Sequence, residues 1–466
     1  MSVVVHTQRV PVFEADIARP RATVTTPEVL LGGRSARKVV TRSQLALWND
    51  AERGHDSLAT ILAQNTIRAQ DLLPIRHGRM VASPWTYFRG AAAVMAADLG
   101  SAPNTGIGVQ LCGDAHVLNF GLWATPERNL SFDLRDFDET VPGPFEWDVK
   151  RLAASIVVLA RENGVSEERA EAATVAAMTA YRDKIESYAA TPEIDIWYDR
   201  IDVDRLLGYF TADTAQRAGK MIETKAQRRT SRGASRKLTE LVDGRRRIRE
   251  EPPFRTHVGD NQVELVTEVV AGYSTSVPDH IWSLLSRYRA SDVVRQVVGV
   301  GSVGMRVYLA LLEERRTGDP FFLQIKQAGP SVYEGYVEPS RYSNCGERVV
   351  QGQRMLQSAT DMFVGWTSVG GMDFYVRQFR DMKVIPDGAT IGPYLAEFAS
   401  ACGEVLARAH ARSGDASAIS EYLGQSDKAV VALAKFARRY ADQNERDHAQ
   451  LVAAIARGAV ARAPGW

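Results

Sequence analysis

The sequence predicts an α+β protein in which a small β-rich region interrupts a mostly helical chain. Apolar residues recur at helical spacing through most of residues 86–290. Strand-like runs separated by Gly-rich or Pro-containing turns fill residues 291–385, and helical spacing returns over 386–466. Because side chains repeat every 3.6 residues on a helix and every two on a strand, the change of period predicts the change of structure.

The length of the chain permits this organisation. It has 466 residues, 45% of them hydrophobic, which predicts a large core and at least two domains or lobes. Residues 1–85 are expected to form an N-terminal extension wrapped on the main body, with one helix around SQLALWNDAERGHDSLATILAQNT. Residues 86–290 and 386–466 are then two parts of a helical lobe, and 291–385 form a β-rich lobe.

Composition excludes several classes of protein. The 57 basic and 56 acidic residues nearly cancel, so the net charge does not point to a nucleic-acid or membrane partner. Three scattered cysteines, without CxxC spacing, do not make a disulfide framework or a zinc site and favour a reducing cytoplasm. The sequence lacks a signal peptide and any run of about 18 apolar residues. We therefore expect a cytoplasmic location and no membrane span.

The elements of the first helical part follow from local pattern. TYFRGAAAVMAADLGS predicts a helix, and GIGVQLCGD and LSFDLRDFDE predict short strands around GDAHVLNFG. In WDVKRLAASIVVLAREN, residues Val149, Leu152, Ile156 and Leu159 fall on one face, which predicts a helix with one buried stripe.

The β-rich region begins with three successive strands in VVRQVVGVGSVGMRVYLALLEE and FFLQIKQA. A helix is expected around ERVVQGQRMLQSATD, followed by a strand pair in MFVGWTSVG and DFYVRQFRDMKV.

Three polar residues have the pattern of a Mg²⁺-ATP site. GDAHVLNFG separates Asp114 from Asn119 by four residues, and Asp136 follows at the end of an apolar strand. Phosphoryl transfer needs a group that positions the acceptor hydroxyl and oxygen ligands for magnesium. The alternative is that these residues are loop residues and caps, where Asp and Asn are common. Two linked motifs in the right order favour the functional interpretation.

These motifs resemble the G-D-x-H-x-x-N loop and D-F-x motif of aminoglycoside and choline phosphotransferases and, more distantly, of protein kinases. The resemblance implies that Asp114 is the catalytic base and that Asn119 and Asp136 bind the metal. It also implies that Asp148 braces the catalytic loop.

Two positions depart from the pattern. Cys112 stands where the family usually has a histidine, and Asp138 is the third residue of the D-F-x motif, where it adds a further candidate metal ligand. Arg89, on the helix before the catalytic strand, is expected near an acidic loop.

A second motif predicts the nucleotide contacts. G-x-G-x-x-G lies between strands, so it predicts a hairpin over phosphates rather than the strand-to-helix turn of a Rossmann fold. Lys326 resembles the V-A-I-K lysine of kinases; the alternative is a solubilising charge on an edge strand. Glu334 and Glu347 are both candidates for its partner, and DFYVRQFRDMK for the adenine hinge. The expected nucleotide-binding residues are Gly299, Gly301, Ser302, Gly304, Arg306 and Lys326.

The order of the motifs is the reverse of that in kinases, because the catalytic loop precedes the Gly-rich loop. We interpret this as a circularly permuted, two-lobed protein-kinase-like fold. LAEFASACGEVLARAHARSGD resembles the helix after the hinge in aminoglycoside phosphotransferases. The chain also resembles, over most of its length, a widespread bacterial domain-of-unknown-function family.

The sequence thus predicts an ATP- and Mg²⁺-dependent phosphotransferase that acts on a hydroxyl of a small molecule. One alternative is transfer of AMP on the same fold, and another is a catalytically silent nucleotide-binding scaffold. The basic segment 225–249 leaves a weaker alternative, a nucleic-acid partner. Its few aromatic residues favour a solvated surface instead.

Overall fold

The structure is a computed structural model that describes residues 32–379 and 382–463. Helix makes up 53% and strand 17%, which confirms the α+β class. Residues 1–31 of the predicted extension, and residues 380–381 of the predicted hinge, lie outside the described residues. Every helix in the described part is too short or too polar to cross a bilayer.

The described strands all pair antiparallel. In chain order they are β1 (Gly108–Leu111), β2 (Phe120–Ala124), β3 (Leu130–Leu134), β4 (Val141–Pro144), β5 (Ile201–Asp202), β6 (Thr239–Val242), β7 (Arg245–Ile248), β8 (Arg255–His257), β9 (Tyr288–Gln296), β10 (Val307–Glu314), β11 (Pro320–Ala328), β12 (Gly365–Val369) and β13 (Met372–Gln378). The largest sheet has the order β12-β13-β11-β10-β9-β8, and smaller sheets are β2-β3-β5, β1-β4 and β6-β7.

Helices account for the rest of the regular structure. They are α1 (Gly33–Val39), α2 (Ser57–Ala63), α3 (Leu73–Val81), α4 (Pro84–Gly90), α5 (Ala92–Gly100), α6 (Phe145–Glu162), α7 (Glu167–Ala189), α8 (Glu193–Tyr198), α9 (Val203–Leu207), α10 (Ala212–Arg228), α11 (Ser231–Leu238), α12 (Asp260–Gly272), α13 (Asp279–Leu285), α14 (Cys345–Leu356), α15 (Leu395–Ala411), α16 (Ala416–Leu423) and α17 (Lys428–Ala456).

Helix α6 forms the centre of a helical body that includes α7, α15, α16 and α17. Every residue from Phe145 to Ala160 is buried, so α6 buries all of its faces rather than the single stripe predicted. Helices α7 and α15 approach closely at Gly403, where a Cβ atom would lie 2.3 Å from the carbonyl oxygen of Ala177. Only glycine permits that backbone contact.

Both faces of the large sheet are covered by other elements. The side chains of β11 alternate between these two faces. Leu323 and Ile325 pack against the apolar residues of α12 and α13. Phe322 packs on the opposite face against α11 and β7. Gln324 and Lys326 share that second face but line a cavity. Helices α11 to α13, which the sequence analysis assigned to the helical half, therefore supply the core of the sheet.

The single helix expected around residues 43–66 is instead a series of short turns followed by α2. Side chains compete with the helix for backbone N–H groups. The Asn49 side chain accepts a hydrogen bond from Ala51 N at 3.2 Å, and Asp56 caps α2 by accepting one from Ala59 N at 2.7 Å.

A buried ion pair between Asp133 and Arg408 joins β3 to α15. Ser358 donates two further hydrogen bonds to Asp133, from N and Oγ, each at 2.8 Å. We expect Asp133→Ala to lower the free energy of unfolding by about 3–5 kcal/mol, because it leaves the Arg408 cation buried and unpaired. Chemical denaturation of both proteins measures this difference.

The matched control is Glu167→Ala, which removes a carboxylate that is 44% exposed from its pair with Arg161. It should shift the denaturation midpoint far less. If both variants shifted the denaturation midpoint equally, the buried Asp133–Arg408 pair would contribute no more to stability than a surface ion pair.

Candidate functional site

The loop that carries Asp114 is held by the carboxylate of Asp148. Asp148 accepts hydrogen bonds from Cys112 N at 2.6 Å and from Gly113 N at 3.0 Å, so the bracing contact expected for it is present. Gly113 has φ +82°, and a Cβ atom there would lie 2.2 Å from the carbonyl oxygen of Glu139. The turn before Asp114 therefore requires glycine.

Asp114 faces a cavity and is paired with Arg151. Arg151 Nε lies 2.7 Å from Asp114 Oδ1. Burial raises the pKa of Asp114, and attraction to Arg151 offsets only part of that effect. Asp114 Oδ2 lies 3.9 Å from Nε2 of His116, a buried imidazole whose pKa burial lowers well below its ordinary value. His116 therefore stays neutral beside the carboxylate.

Asn119 and Asp136 present two oxygens that lack protein hydrogen-bond partners. Asn119 Nδ2 donates to the carbonyl oxygens of Asp114 at 2.9 Å and Asp136 at 3.1 Å. This fixes the amide so that its Oδ1, like Oδ1 of Asp136, is buried without a hydrogen bond. Such orphaned oxygens suit Mg²⁺, which binds one or two protein oxygens together with phosphate.

The described residues do not include three or more His, Cys, Asp or Glu side chains grouped so that they could hold a metal ion by themselves. Magnesium at Asn119 and Asp136 would thus need further oxygen ligands from a bound phosphate group or water.

Lys326 reaches across the cleft from β11 to the residues after β3. Its Nζ lies 2.6 Å from Asp138 Oδ2 and 3.5 Å from Asp136 Oδ1, and its side chain is 2% exposed. Burial disfavours the ammonium, but attraction to Asp136 and Asp138 outweighs burial and holds the pKa of Lys326 above its ordinary value. Burial likewise opposes ionisation of Asp136, but Lys326 and neighbouring cations hold its pKa low.

Neither glutamate considered as the partner of Lys326 contacts it among the described residues. Glu334 pairs instead with Arg348, at 3.4 Å. Arg348, on α14, donates to the carbonyl oxygens of Asp138 at 2.8 Å and Gly329 at 2.7 Å. Tyr375 donates to Asp138 Oδ1 at 2.6 Å. Because both Asp138 oxygens are already bound, Asp138 positions Lys326 in this structure and is a poorer metal ligand than Asp136.

The Gly-rich segment is a loop between the antiparallel neighbours β9 and β10, as the sequence predicted. Gly299 and Gly304 have φ +65° and +94°. Gly299, Gly301 and Ser302 line the cavities at the site. Gly304 lies against Arg68 instead.

Arg306 was expected to contact the nucleotide, and it lines neither of the cavities at the site. Its side chain is exposed and bonds Gln327 at 3.2 Å. The phosphate contact predicted for it is therefore not favoured by this arrangement.

Two cavities meet at Asp136. One has a volume of about 650 Å³ and lies between β11, β13 and residues 383–388, with Lys326 in its wall. The other, of about 120 Å³, lies on the Asp114 side. Asp136, Gly299 and Ser302 line both. The larger cavity has room for a nucleotide, and its far wall includes the segment predicted as the hinge.

Sequence reasoning missed most of the cations in the larger cavity, which include Arg135, Arg377 and Lys383. Burial lowers the pKa of Arg135 to about 10 and, with repulsion from Arg377, lowers that of Lys383 well below its ordinary value. The sequence did hold a signal for the position of Arg377. It lies two positions from Tyr375 on β13, so the two side chains are on the same face of the strand. This cluster of half-buried cations favours an anionic ligand.

The basic segment 225–249 forms the end of α10, α11 and the β6–β7 hairpin. Most of its charged side chains are exposed. Arg229 differs, because it lines the larger cavity and its Nη1 donates to the carbonyl oxygen of Lys383 at 2.7 Å. The segment therefore borders the mouth of the candidate site.

A model of one bacterial protein family, described as "Uncharacterized protein conserved in bacteria (DUF2252)", matches residues 68–454. The chain belongs to this family. No curated protein and no solved structure gives a match. The matched residues include all of the candidate site residues from Asp114 to Lys326.

We expect Asp148→Ala to free the loop that carries Asp114, because two backbone N–H groups lose a charged acceptor inside the protein. Amide hydrogen exchange at Cys112 and Gly113, followed by mass spectrometry, should accelerate at least about tenfold, equivalent to roughly 1.4 kcal/mol. Asp148→Asn, which keeps one acceptor oxygen, should show a smaller increase. Unchanged exchange in Asp148→Ala would rule out the bracing role.

Proposed function

We propose that the protein is an ATP- and Mg²⁺-dependent phosphotransferase that moves the γ-phosphate of ATP to a hydroxyl group of a small molecule. One observation carries the proposal: Lys326 Nζ lies 3.5 Å from Asp136 Oδ1, with Asn119 and Asp114 on the same loop cluster. A phosphate-binding lysine, an oxygen pair for magnesium and a candidate base then surround the junction of two cavities.

Each residue has a chemical role in this proposal. Asp114 accepts the proton of the acceptor hydroxyl as its oxygen attacks the γ-phosphorus, and the bond from that phosphorus to ADP breaks. Lys326 holds the α- and β-phosphates, and Asn119 and Asp136 hold the metal. Magnesium, when bound, neutralises charge on the phosphate oxygens. Gly299, Gly301 and Ser302 bring backbone N–H groups near the phosphates.

We also propose that the large sheet with α14 corresponds to the ATP-binding lobe of a kinase and that the helical body corresponds to the catalytic lobe. The order of these parts along the chain supports circular permutation. Helix α15 supports it too, because its His410 lies 3.4 Å from the carboxylate of Asp148, which links that helix to the catalytic loop.

Transfer of AMP is the second candidate, and the cations on the far wall of the larger cavity favour it. Arg377 and Lys383 line only the larger cavity, toward the segment where a kinase would bind adenine. They would suit a triphosphate bound in the reverse direction, with its α-phosphate next to the acceptor.

The first experiment is calorimetric titration of Mg²⁺-ATP into wild type, Asp136→Ala and the surface control Asp319→Ala. We expect wild type and the control to bind, and Asp136→Ala to bind at least about tenfold more weakly because a metal ligand is lost.

Mass analysis of the products then separates the candidates. ADP supports phosphotransfer, whereas AMP-modified product with pyrophosphate supports the second candidate. Absence of nucleotide binding by folded wild type would reject both.

A second experiment tests Lys326. We expect Lys326→Met to weaken Mg²⁺-ATP binding by about 10- to 100-fold, because the phosphates lose a charged donor. The same change also leaves Asp138 without its cation, so it should destabilise the fold. The double variant Lys326→Met/Asp138→Asn should recover stability without recovering ATP affinity. Normal ATP affinity in the folded double variant would exclude a phosphate-binding role for Lys326.

A further inference from the structure

Arg89, near the end of α4, is a cation that has no acceptor among residues 32–379 and 382–463. It lines both cavities at the candidate site. Within the described residues its guanidinium makes no hydrogen bond or ion pair, and its Nε is fully buried. Its recorded contact is the ring of Trp85, whose centroid lies 6.0 Å from Arg89 Cζ.

Three fully buried arginines are satisfied by the protein itself, whereas Arg135, which also lines both cavities, shares with Arg89 an Nε that has no partner among the described residues. Arg151 pairs with Asp114, Arg408 pairs with Asp133, and Arg348 donates to backbone carbonyl oxygens. An unpaired buried cation lowers the stability of a fold. Arg89 is therefore better explained by an anion that binds there than by a structural contact.

The surroundings of Arg89 define where such an anion would lie. The carbonyl oxygen of Arg89 would be 3.3 Å from a Cβ atom on Gly301, so its backbone touches the Gly-rich loop. The carboxylates that attract its charge most are Asp114 and then Asp136. Arg89 thus lies among the candidate phosphate loop, base and metal ligand.

We infer that Arg89 binds the terminal phosphate of the nucleotide and remains bound to the phosphoryl group while it is transferred. This inference rests on the proposed function. Lys326 is on the side of the larger cavity, where the inner phosphates and the nucleoside fit, whereas Arg89 borders the smaller cavity with Asp114. The γ-phosphate then lies where the two cavities meet, next to the acceptor.

The chemistry at this position favours a guanidinium. As the bond between the γ-phosphorus and the ADP oxygen breaks and the bond to the acceptor oxygen forms, negative charge lies on the three equatorial phosphoryl oxygens. A planar guanidinium can donate two parallel hydrogen bonds to two of them. Because Arg89 is half-buried and its Nε is fully buried, that interaction is stronger than at a fully exposed site.

Arg135 also lines both cavities, but its setting differs. The backbone of Arg89 lies against Gly301 of the Gly-rich loop, whereas Arg135 directly precedes Asp136, the candidate metal ligand. We therefore assign the terminal phosphate to Arg89.

The test compares nucleotides with and without the terminal phosphate. Calorimetry measures binding of Mg²⁺ with a non-hydrolysable ATP analogue and of Mg²⁺-ADP to wild type, Arg89→Met, Arg89→Lys and the exposed control Arg236→Met. Arg89→Met should weaken binding of the ATP analogue by about 10- to 100-fold and leave ADP within about threefold. Arg89→Lys should recover part of the loss, and Arg236→Met should match wild type.

Thermal denaturation without ligand supplies the second measurement. Arg89→Met should melt at the same temperature as wild type or higher, because it removes an unpaired buried charge. Equal losses for both nucleotides, or no loss, would overturn the inference. A lower melting temperature with unchanged affinities would show a structural role instead. If wild type binds neither nucleotide, the proposed phosphotransfer fails first, and this result is distinct from failure at Arg89.

Discussion

The site depends on one buried ion-pair cluster, in which Lys326 from the sheet meets Asp136 and Asp138 from the loop after β3. An ammonium with a side chain only 2% exposed is stable only beside its carboxylates. The cluster therefore fixes the position of β11, an interior strand of the large sheet, relative to the loop after β3. Tyr375 and Arg348 strengthen it by holding the Asp138 side chain and backbone.

Much of the element order could be predicted from the sequence, since the period of the apolar residues is a local property. The strands β9, β10 and β11 and the helices α6, α14 and α15 were expected near their observed positions. The motif residues Asp114, Asn119 and Asp136 were recognised because their spacing is also local. Their closeness to Lys326 was only implied by the resemblance, as no local pattern records it.

What the sequence did not predict depends on contacts between distant residues. Helical spacing predicts helices over most of residues 86–290, but it does not predict that α12 and α13 cover the sheet. The resemblance to kinases predicts a glutamate as the partner of Lys326. In the structure Asp138 pairs with Lys326 instead. The side chains of Asn49 and Asp56 accept hydrogen bonds from backbone N–H groups and so interrupt the helix expected around residues 43–66.

The cations around the cavities show how the fold balances stability against ligand binding. Arg89, Arg135 and Lys383 are held near one another with burial opposing their charge. A fold selected only for stability would pair or replace such groups. These cations are already in place before an anion binds. The protein therefore needs less reorganisation when binding occurs.

The separation of the site residues along the chain has a consequence for synthesis. Lys326 and Asp138 are 188 residues apart, and the Gly-rich loop also follows the catalytic loop by a long interval. During translation the helical part with Asp114 and Asp136 emerges well before β10 and β11. A nascent chain therefore carries Asp136 and Asp138 without the lysine that pairs with them. The larger cavity, which β11 and β13 help to line, can form only after the sheet has been made, so partial chains released early would lack it.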